Sequence, residues 1–215
     1  MGSMRWRIAQ AIEIRWWQNY LRKKSPTDYL HWKQDYWLTF LNQLKISRPT
    51  GLRILDAGCG PAGIFTVLSG NKVIALDPLL NQYEEKLPHF SKEAYPWVEF
   101  RKNTLEHFTG SEKFDLIFCL NVINHVDRWE LAIKNLLDQV EAGGTLVLST
   151  DVHRFQFLKR LFRWLPGDIL HPQQHDQEDY LSVLRQPGWN WESPIIFKQE
   201  RIFSYVVFVG KKQLQ

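Results

Sequence analysis

The decapeptide Ile54-Leu55-Asp56-Ala57-Gly58-Cys59-Gly60-Pro61-Ala62-Gly63 constrains this chain more than any other stretch. An apolar run closing on glycines spaced Gly-x-Gly-x-x-Gly reads as a buried strand that turns tightly into a helix. The second glycine leaves room for a ligand to approach the backbone. Such a strand belongs in a mostly parallel sheet covered by crossover helices. The rest of the chain from Leu52 agrees: short apolar runs at 52–57, 72–77, 97–101, 114–120 and 144–150 alternate with helical stretches, so the spacing predicts successive βαβ units. The helix over 128–141 carries Trp129, Leu131, Ala132, Leu136 and Val140, with Gly143-Gly144 just past its end. Another amphipathic stretch spans 155–165, and Pro166-Gly167 stops it. Asp176 is placed to cap a helix from Gln177 to about Arg185. Runs at 194–199 and 202–209 flank Glu200-Arg201, a gap short enough for an antiparallel hairpin.

Residues 4–46 read differently, as two helices forming an N-terminal cap on the same domain as residues 50–215. Trp6, Ala9, Ile12, Trp16 and Tyr20 recur on one predicted face, and Ser25-Pro26-Thr27-Asp28 breaks the chain. Tyr29, Trp32, Tyr36 and Phe40 then repeat the pattern. Five of the ten tryptophans fall within the first 37 residues, so this aromatic face is expected to pack on the sheet and to wall a pocket for an apolar acceptor. A length of 215 residues suits one domain, and 44% hydrophobic with 23% charged residues is ordinary for a globular protein. Neither a bilayer-spanning apolar run nor a secretory signal is legible after Met4, so a soluble, cytoplasmic protein is expected. Cys59 and Cys119 lie in or at the end of apolar runs and read as reduced, buried thiols. The net charge of +4 draws mildly toward an anionic partner or membrane surface, without the dense basic stripe of a nucleic-acid binder.

Asp77 ends the next apolar run, close to the spacing of about 20 residues expected of a ribose-binding acid. The pattern by itself suits a nicotinamide dinucleotide equally well. Asp56 and Pro61 decide against it. Asp56 would set a negative charge against a pyrophosphate, and Pro61 removes an amide where a pyrophosphate needs donors. S-adenosylmethionine fits better: its amino group can pair with Asp56, its backbone can lie against Gly58 and Gly60, and its ribose hydroxyls can donate to Asp77.

Through Leu55-Asp56-Ala57-Gly58-Cys59-Gly60, Ala75-Leu76-Asp77-Pro78, and Phe114-Asp115-Leu116-Ile117 leading to Asn124-His125-Val126, residues 50–210 resemble the class I methyltransferase family. The resemblance implies a doubly wound, Rossmann-like α/β sheet of seven strands whose last strand is antiparallel and inserts beside the fifth. It implies in-line methyl transfer from a sulfonium. It also implies a cofactor-binding set of Asp56, Ala57, Gly58, Gly60, Asp77, Pro78, Asn103, Thr104, Leu120 and Asn121. Asn103 stands where the family usually has an acid that accepts from the adenine amino group, and its side-chain carbonyl can still accept that bond.

Specialised chemistries lack their residues. No thiol is placed to attack a base, since Cys59 sits in the glycine loop and Cys119 late in a strand. Cys119-Leu120-Asn121-Val122 is not the Asn-Pro-Pro-Tyr-type motif that holds a flipped base. Val152 beside Asp151 removes a ligand that magnesium would need, so no metal is expected. What remains is a metal-independent transfer to a small, rather hydrophobic acceptor, O-methylation before N-methylation. A hydroxyl acceptor wants a general base. His153 and His175 rank first, with His125 and His171 behind them. A lipid-like or quinone-like acceptor at the membrane surface is a second reading, drawn from the basic, aromatic stretch 155–165. An RNA methyltransferase and a non-catalytic cofactor-binding scaffold are the remaining alternatives.

Overall fold

The computed structural model describes residues 4–47, 50–153, 175–199 and 203–214. They fall into two compact units, Met1–Thr104 and Leu105–Gln215. The first opens with helices α1 (Met4–Leu21) and α2 (Pro26–Gln43). Ser25 caps α2 by accepting the Asp28 N–H at 3.4 Å, and Pro26 occupies its first turn. Three parallel strands follow, β1 (Arg53–Ala57), β2 (Lys72–Leu76) and β3 (Val98–Arg101), in the order β3-β2-β1. Residues 54–57 and 73–76 are buried throughout, as continuous apolar runs in a parallel sheet should be. The short helix α3 (Leu80–Lys86) connects β2 toward β3.

Two details depart from the sequence reading. The glycine loop opens only a four-residue 3₁₀ turn, Ile64–Val67, rather than an α-helix. Gly63 immediately precedes the turn in extended backbone, and Gly70 at φ 93° already swings the chain toward β2. Among the described side chains of α1, Ile14 and Leu21 are buried, whereas Trp16, expected on the packed face, is 47% exposed. Trp32 of α2 is 53% exposed, and Trp37 and Leu41 are buried with Tyr29 and Phe40. Aromatic residues occur all round these helices, so periodicity alone did not fix which of them pack: Tyr29 and Phe40 are buried as expected, Trp16 and Trp32 are not. Trp16 and Tyr20 cover each other instead, stacked at 4.9 Å and 6°.

The second unit holds β4 (Phe114–Leu120), helix α4 (Trp129–Gln139), β5 (Val140–His153), helix α5 (Gln177–Leu184), β6 (Trp189–Trp191), β7 (Ile195–Gln199) and β8 (Phe203–Lys212). β4 and β5 are parallel, while β8 runs antiparallel to β5 from Thr145↔Lys211 to His153↔Phe203. The order is β4-β5-β8-β6, with β7 also on β8. The predicted terminal hairpin and the antiparallel last strand beside the fifth are thus present. β5 starts earlier than expected because an irregularity between Phe114 and Leu116 lets Val140 pair at once. A side chain at Gly144 would come within 3.0 Å of the Asp115 carbonyl. The three-residue β6 is too short to show a period in sequence. It is held because the Trp191 ring lies over Gly210, the residue it pairs with on β8. The helical stretch expected over 155–165, and His171, lie outside the described residues.

Candidate functional site

The glycine loop is fixed by the backbone of β2 and by two aspartates. Gly58 and Gly60 take positive φ, 76° and 57°, which a side chain would disfavour. The Gly58 and Cys59 amides donate to the Leu76 carbonyl at 2.7 and 3.0 Å. Asp77, just beyond β2, accepts from the Gly60 N–H through Oδ2 at 3.0 Å and from the Leu79 N–H through Oδ1 at 2.8 Å. Asp56, the fourth residue of β1, accepts from the Phe65 N–H at 3.0 Å and so caps the 3₁₀ turn. Gly63 is required by this arrangement. A Cβ there would sit 2.4 Å from the Cys59 carbonyl and 2.5 Å from Asp56 Oδ2. The helical cap completes the support, since the Trp37 indole donates to the Ala62 carbonyl at 2.9 Å. Trp17 comes within 3.8 Å of where a Gly60 Cβ would stand.

The sequence reading therefore placed Asp56, Ala57, Gly58, Gly60 and Asp77 in one site, and the structure brings them together. Ala57 is wholly buried and Pro78 half-buried beside them. The loop presents no long helix N-terminus for a phosphate. It presents carboxylates. Burial pushes Asp56 up to about 7, assisted by the charge of Asp77 and opposed by the Phe65 amide and by Lys33. Burial likewise raises Asp77 to about 6 against its bonds from Leu79 and Gly60. Glu13 of α1, which sequence reasoning missed, is raised to about 7 by burial and then by Asp77, with Trp17 and Tyr83 moderating the rise. Lys33 of α2 is lowered to about 8 by burial, with Asp56 pulling the other way. Its ammonium lies over the Trp37 ring at 4.4 Å and the Tyr36 ring at 5.1 Å. A visible signal for Glu13 was its position between Ile12 and Ile14, a lone acid in an apolar setting on a helix. Crowded, desolvated carboxylates are costly to ionise until a donor or cation reaches them.

The other predicted residues are placed separately. Asn103 accepts from the Thr104 N–H at 2.9 Å through its side-chain oxygen, and both residues are half-buried after β3. In the second unit, Leu120 ends β4 half-buried and Asn121 is exposed at φ 58°, a left-handed conformation that asparagine tolerates. The Asn121 N–H donates to the Ser149 carbonyl at 2.9 Å, and Ser149 Oγ meets the Tyr205 hydroxyl at 2.5 Å. His125 closes a 3₁₀ turn, Ile123–His125, with its backbone N–H on the Val122 carbonyl. His153 ends β5 opposite Phe203, and its side chain lies outside what is described. His175 lies with its Nδ1 3.5 Å from Asp179 Oδ2 and its ring 4.3 Å from that of Trp129. Asp179 and Asp176 also form the capping box of α5. His175 thus lies within ion-pair distance of a carboxylate that is itself fixed by the Asp176 N–H. Cys59 and Cys119 are buried free thiols, as the sequence suggested.

Residues 29–193 match the family described as Methyltransferase domain. Among curated proteins the chain is similar to the ubiquinone biosynthesis O-methyltransferase of Rickettsia canadensis, 33% identical over 101 residues covering 46% of this chain and 42% of that protein. The chain thus spans less than half the length of that relative. Among solved structures it shares its fold with the N-methyltransferase NodS of Bradyrhizobium japonicum WM9 in complex with S-adenosyl-L-homocysteine. The TM-score is 0.60 at 14% identity, covering 81% of this chain and 84% of that one. It likewise shares the fold of YcgJ from Bacillus subtilis, with a TM-score of 0.65 at 13% identity over 84% of this chain and all of that one. Family and fold meet on the glycine loop, Asp77 and the antiparallel last strand: the chain belongs to the class I S-adenosylmethionine-dependent methyltransferase family.

Proposed function

We propose that this protein transfers a methyl group from S-adenosylmethionine to a hydroxyl of a small, rather hydrophobic acceptor. The observation that carries the reading is the carboxylate cradle around an open glycine loop. Asp56, Asp77 and Glu13 are all raised by burial. These groups fit an adenosyl amino acid, which brings an ammonium, a sulfonium and two ribose hydroxyls, and they do not fit a pyrophosphate. When bound, the cofactor supplies an electrophilic methyl carbon and departs as a neutral thioether. On this reading Asp77 accepts from ribose, Asp56 and the glycine backbone hold the amino acid end, and Asn103 accepts from the adenine amino group.

An attacking hydroxyl must lose its proton, and His175, oriented by Asp179, is the imidazole we assign as base, with His153 next to test. The oxygen acceptor and its apolar character are supported by the O-methyltransferase name of the Rickettsia relative and by the aromatic wealth of the cap. A phenolic quinone precursor would satisfy both. Among the described residues no helix is long and apolar enough to cross a membrane, and we place the protein in the cytoplasm. Incubation with methyl-labelled cofactor and a set of alkylated catechols and phenols tests the reading. Label should enter an ether, and His175→Ala should slow it more than a hundredfold with little change in cofactor Kd. Label entering only amines, or none entering any hydroxyl, would contradict it.

A further inference from the structure

The two N-terminal helices hold the chain's positive charge. Residues 4–46 carry eight lysines and arginines against three acids, a net +5, whereas the whole chain is +4. They also hold two of the large apolar side chains left open to water, Trp16 at 47% and Trp32 at 53% exposure. Both belong to one row of rings that crosses from α1 to α2. Trp16 stacks on Tyr20 at 4.9 Å, Tyr20 meets Tyr29 edge-on at 6.2 Å, and Tyr29 meets Trp32 at 5.8 Å. The Lys24 ammonium lies over the Tyr20 ring at 4.2 Å, and Arg22 and Lys23 are exposed in the turn that carries Lys24. The exposed acids of the two helices, Asp28 and Asp35, stand one turn either side of Trp32, so the cations gather at the Trp16 end. The turn is pinned, because the Lys24 carbonyl accepts from His89 Nε2 at 3.0 Å and the His89 ring meets Tyr29 edge-on at 5.6 Å.

Tryptophan and tyrosine rings edged by lysine and arginine are the side chains that settle at a membrane–water boundary, where the ring body meets acyl chains and the cations meet phosphates. We infer that the α1–α2 cap docks on an anionic lipid surface, with Trp16 and Trp32 entering the headgroup layer and Arg22, Lys23 and Lys24 set against lipid phosphates. Charge selects this occupant over a second copy of the chain, which would bring the same net +5 to the contact. Ring packing selects it over RNA. A nucleobase stacks on an open ring face, and Tyr20 is already stacked by Trp16 and covered by Lys24. A bilayer surface asks only for exposed apolar area next to positive charge. The pinned turn presents both without reordering, and the inference stands apart from the identity of the methyl acceptor.

Sedimentation of the full chain with vesicles of phosphatidylcholine, and of phosphatidylcholine mixed with an equal part of phosphatidylglycerol, tests this. The chain should pellet with the anionic vesicles and not with the neutral ones, and should be released as salt is raised. Trp16→Ala combined with Trp32→Ala should weaken partitioning about tenfold or more, since two large apolar side chains no longer leave water. Lys23→Gln combined with Lys24→Gln, in exposed turn residues that carry the test if the tryptophan variant does not fold, should remove most of the preference for anionic lipid. No binding to anionic vesicles, or equal binding to both kinds, would overturn the inference. Binding that survives both pairs of substitutions would belong to another part of the chain and would overturn it equally. A dimer seen by light scattering, or capture of an RNA oligonucleotide, that the same substitutions abolish in the absence of vesicle binding would assign the row of rings to that partner instead.

Discussion

Asp56 and Asp77 hold the glycine loop through backbone amides, and on the proposed reading they also meet the cofactor. Asp77 already uses both oxygens on backbone amides, and each oxygen keeps a further lone pair for a ribose hydroxyl. Asp77→Ala should therefore cost about 2–4 kcal/mol of S-adenosylhomocysteine affinity, measured by calorimetry, as charged hydrogen bonds are lost and their partners stranded. Asp56 is more deeply committed to the fold, because its bond to the Phe65 amide closes the turn that Gly63 leaves room for. In the unfolded chain these acids ionise near their ordinary value of about 4, but in the fold near 6 to 7. Between those values the native state binds protons that the unfolded chain does not, so they withdraw stability as pH rises from about 4 to 7. Asp56→Asn removes one such group while keeping an acceptor for Phe65. Its Tm relative to the parent should rise between pH 5 and pH 8, and a constant or falling difference would show that Asp56 does not titrate there. That both aspartates flank the glycine loop was legible from spacing. That Asp56 is first of all a cap was not, because the 3₁₀ turn it closes has no periodic signature.

At the scale of elements, the strands from β1 to β5 and the terminal hairpin stood out because each is a short run rich in apolar residues bounded by turn residues or charges. The elements missed were those specified by contacts and not by pattern. β6 exists through Trp191 lying across Gly210, and a Cβ at Gly210 would meet that ring at 2.5–2.6 Å. Gly210→Ala should dislodge β6 at a cost of about 1–3 kcal/mol in denaturant unfolding, the range for overpacking a filled space. Stability equal to the parent would mean that the ring moves aside freely. The helical cap was legible as two aromatic helices, expected to pack on the sheet and to wall an acceptor pocket. The structure joins α2 directly to the glycine loop through Trp37 and Ala62. Trp37→Phe, which keeps the ring and removes the donor, should weaken cofactor binding several-fold while lowering Tm modestly, and a loss of stability alone would confine Trp37 to packing.

For the molecule as a whole, what the sequence stated most clearly was the ligand class. The glycine spacing admitted two cofactors, and charge decided between them: an acid at the end of β1, a proline where an amide was wanted, and then, from the structure, a third acid from a helix no motif covers. Acceptor chemistry was less legible, because it depends on which of several scattered histidines meets a substrate, and spacing along the chain does not carry that information. In the described part of the second unit, His175 lies 3.5 Å from the Asp179 carboxylate. The central claim is that the carboxylate cradle recognises an adenosyl amino acid in place of a dinucleotide. Titration calorimetry of the unmodified chain with S-adenosylhomocysteine and with NAD, side by side at pH 7.5, measures it most directly. Saturable heat with S-adenosylhomocysteine and none with NAD is the predicted result; heat with NAD and none with S-adenosylhomocysteine would contradict the account.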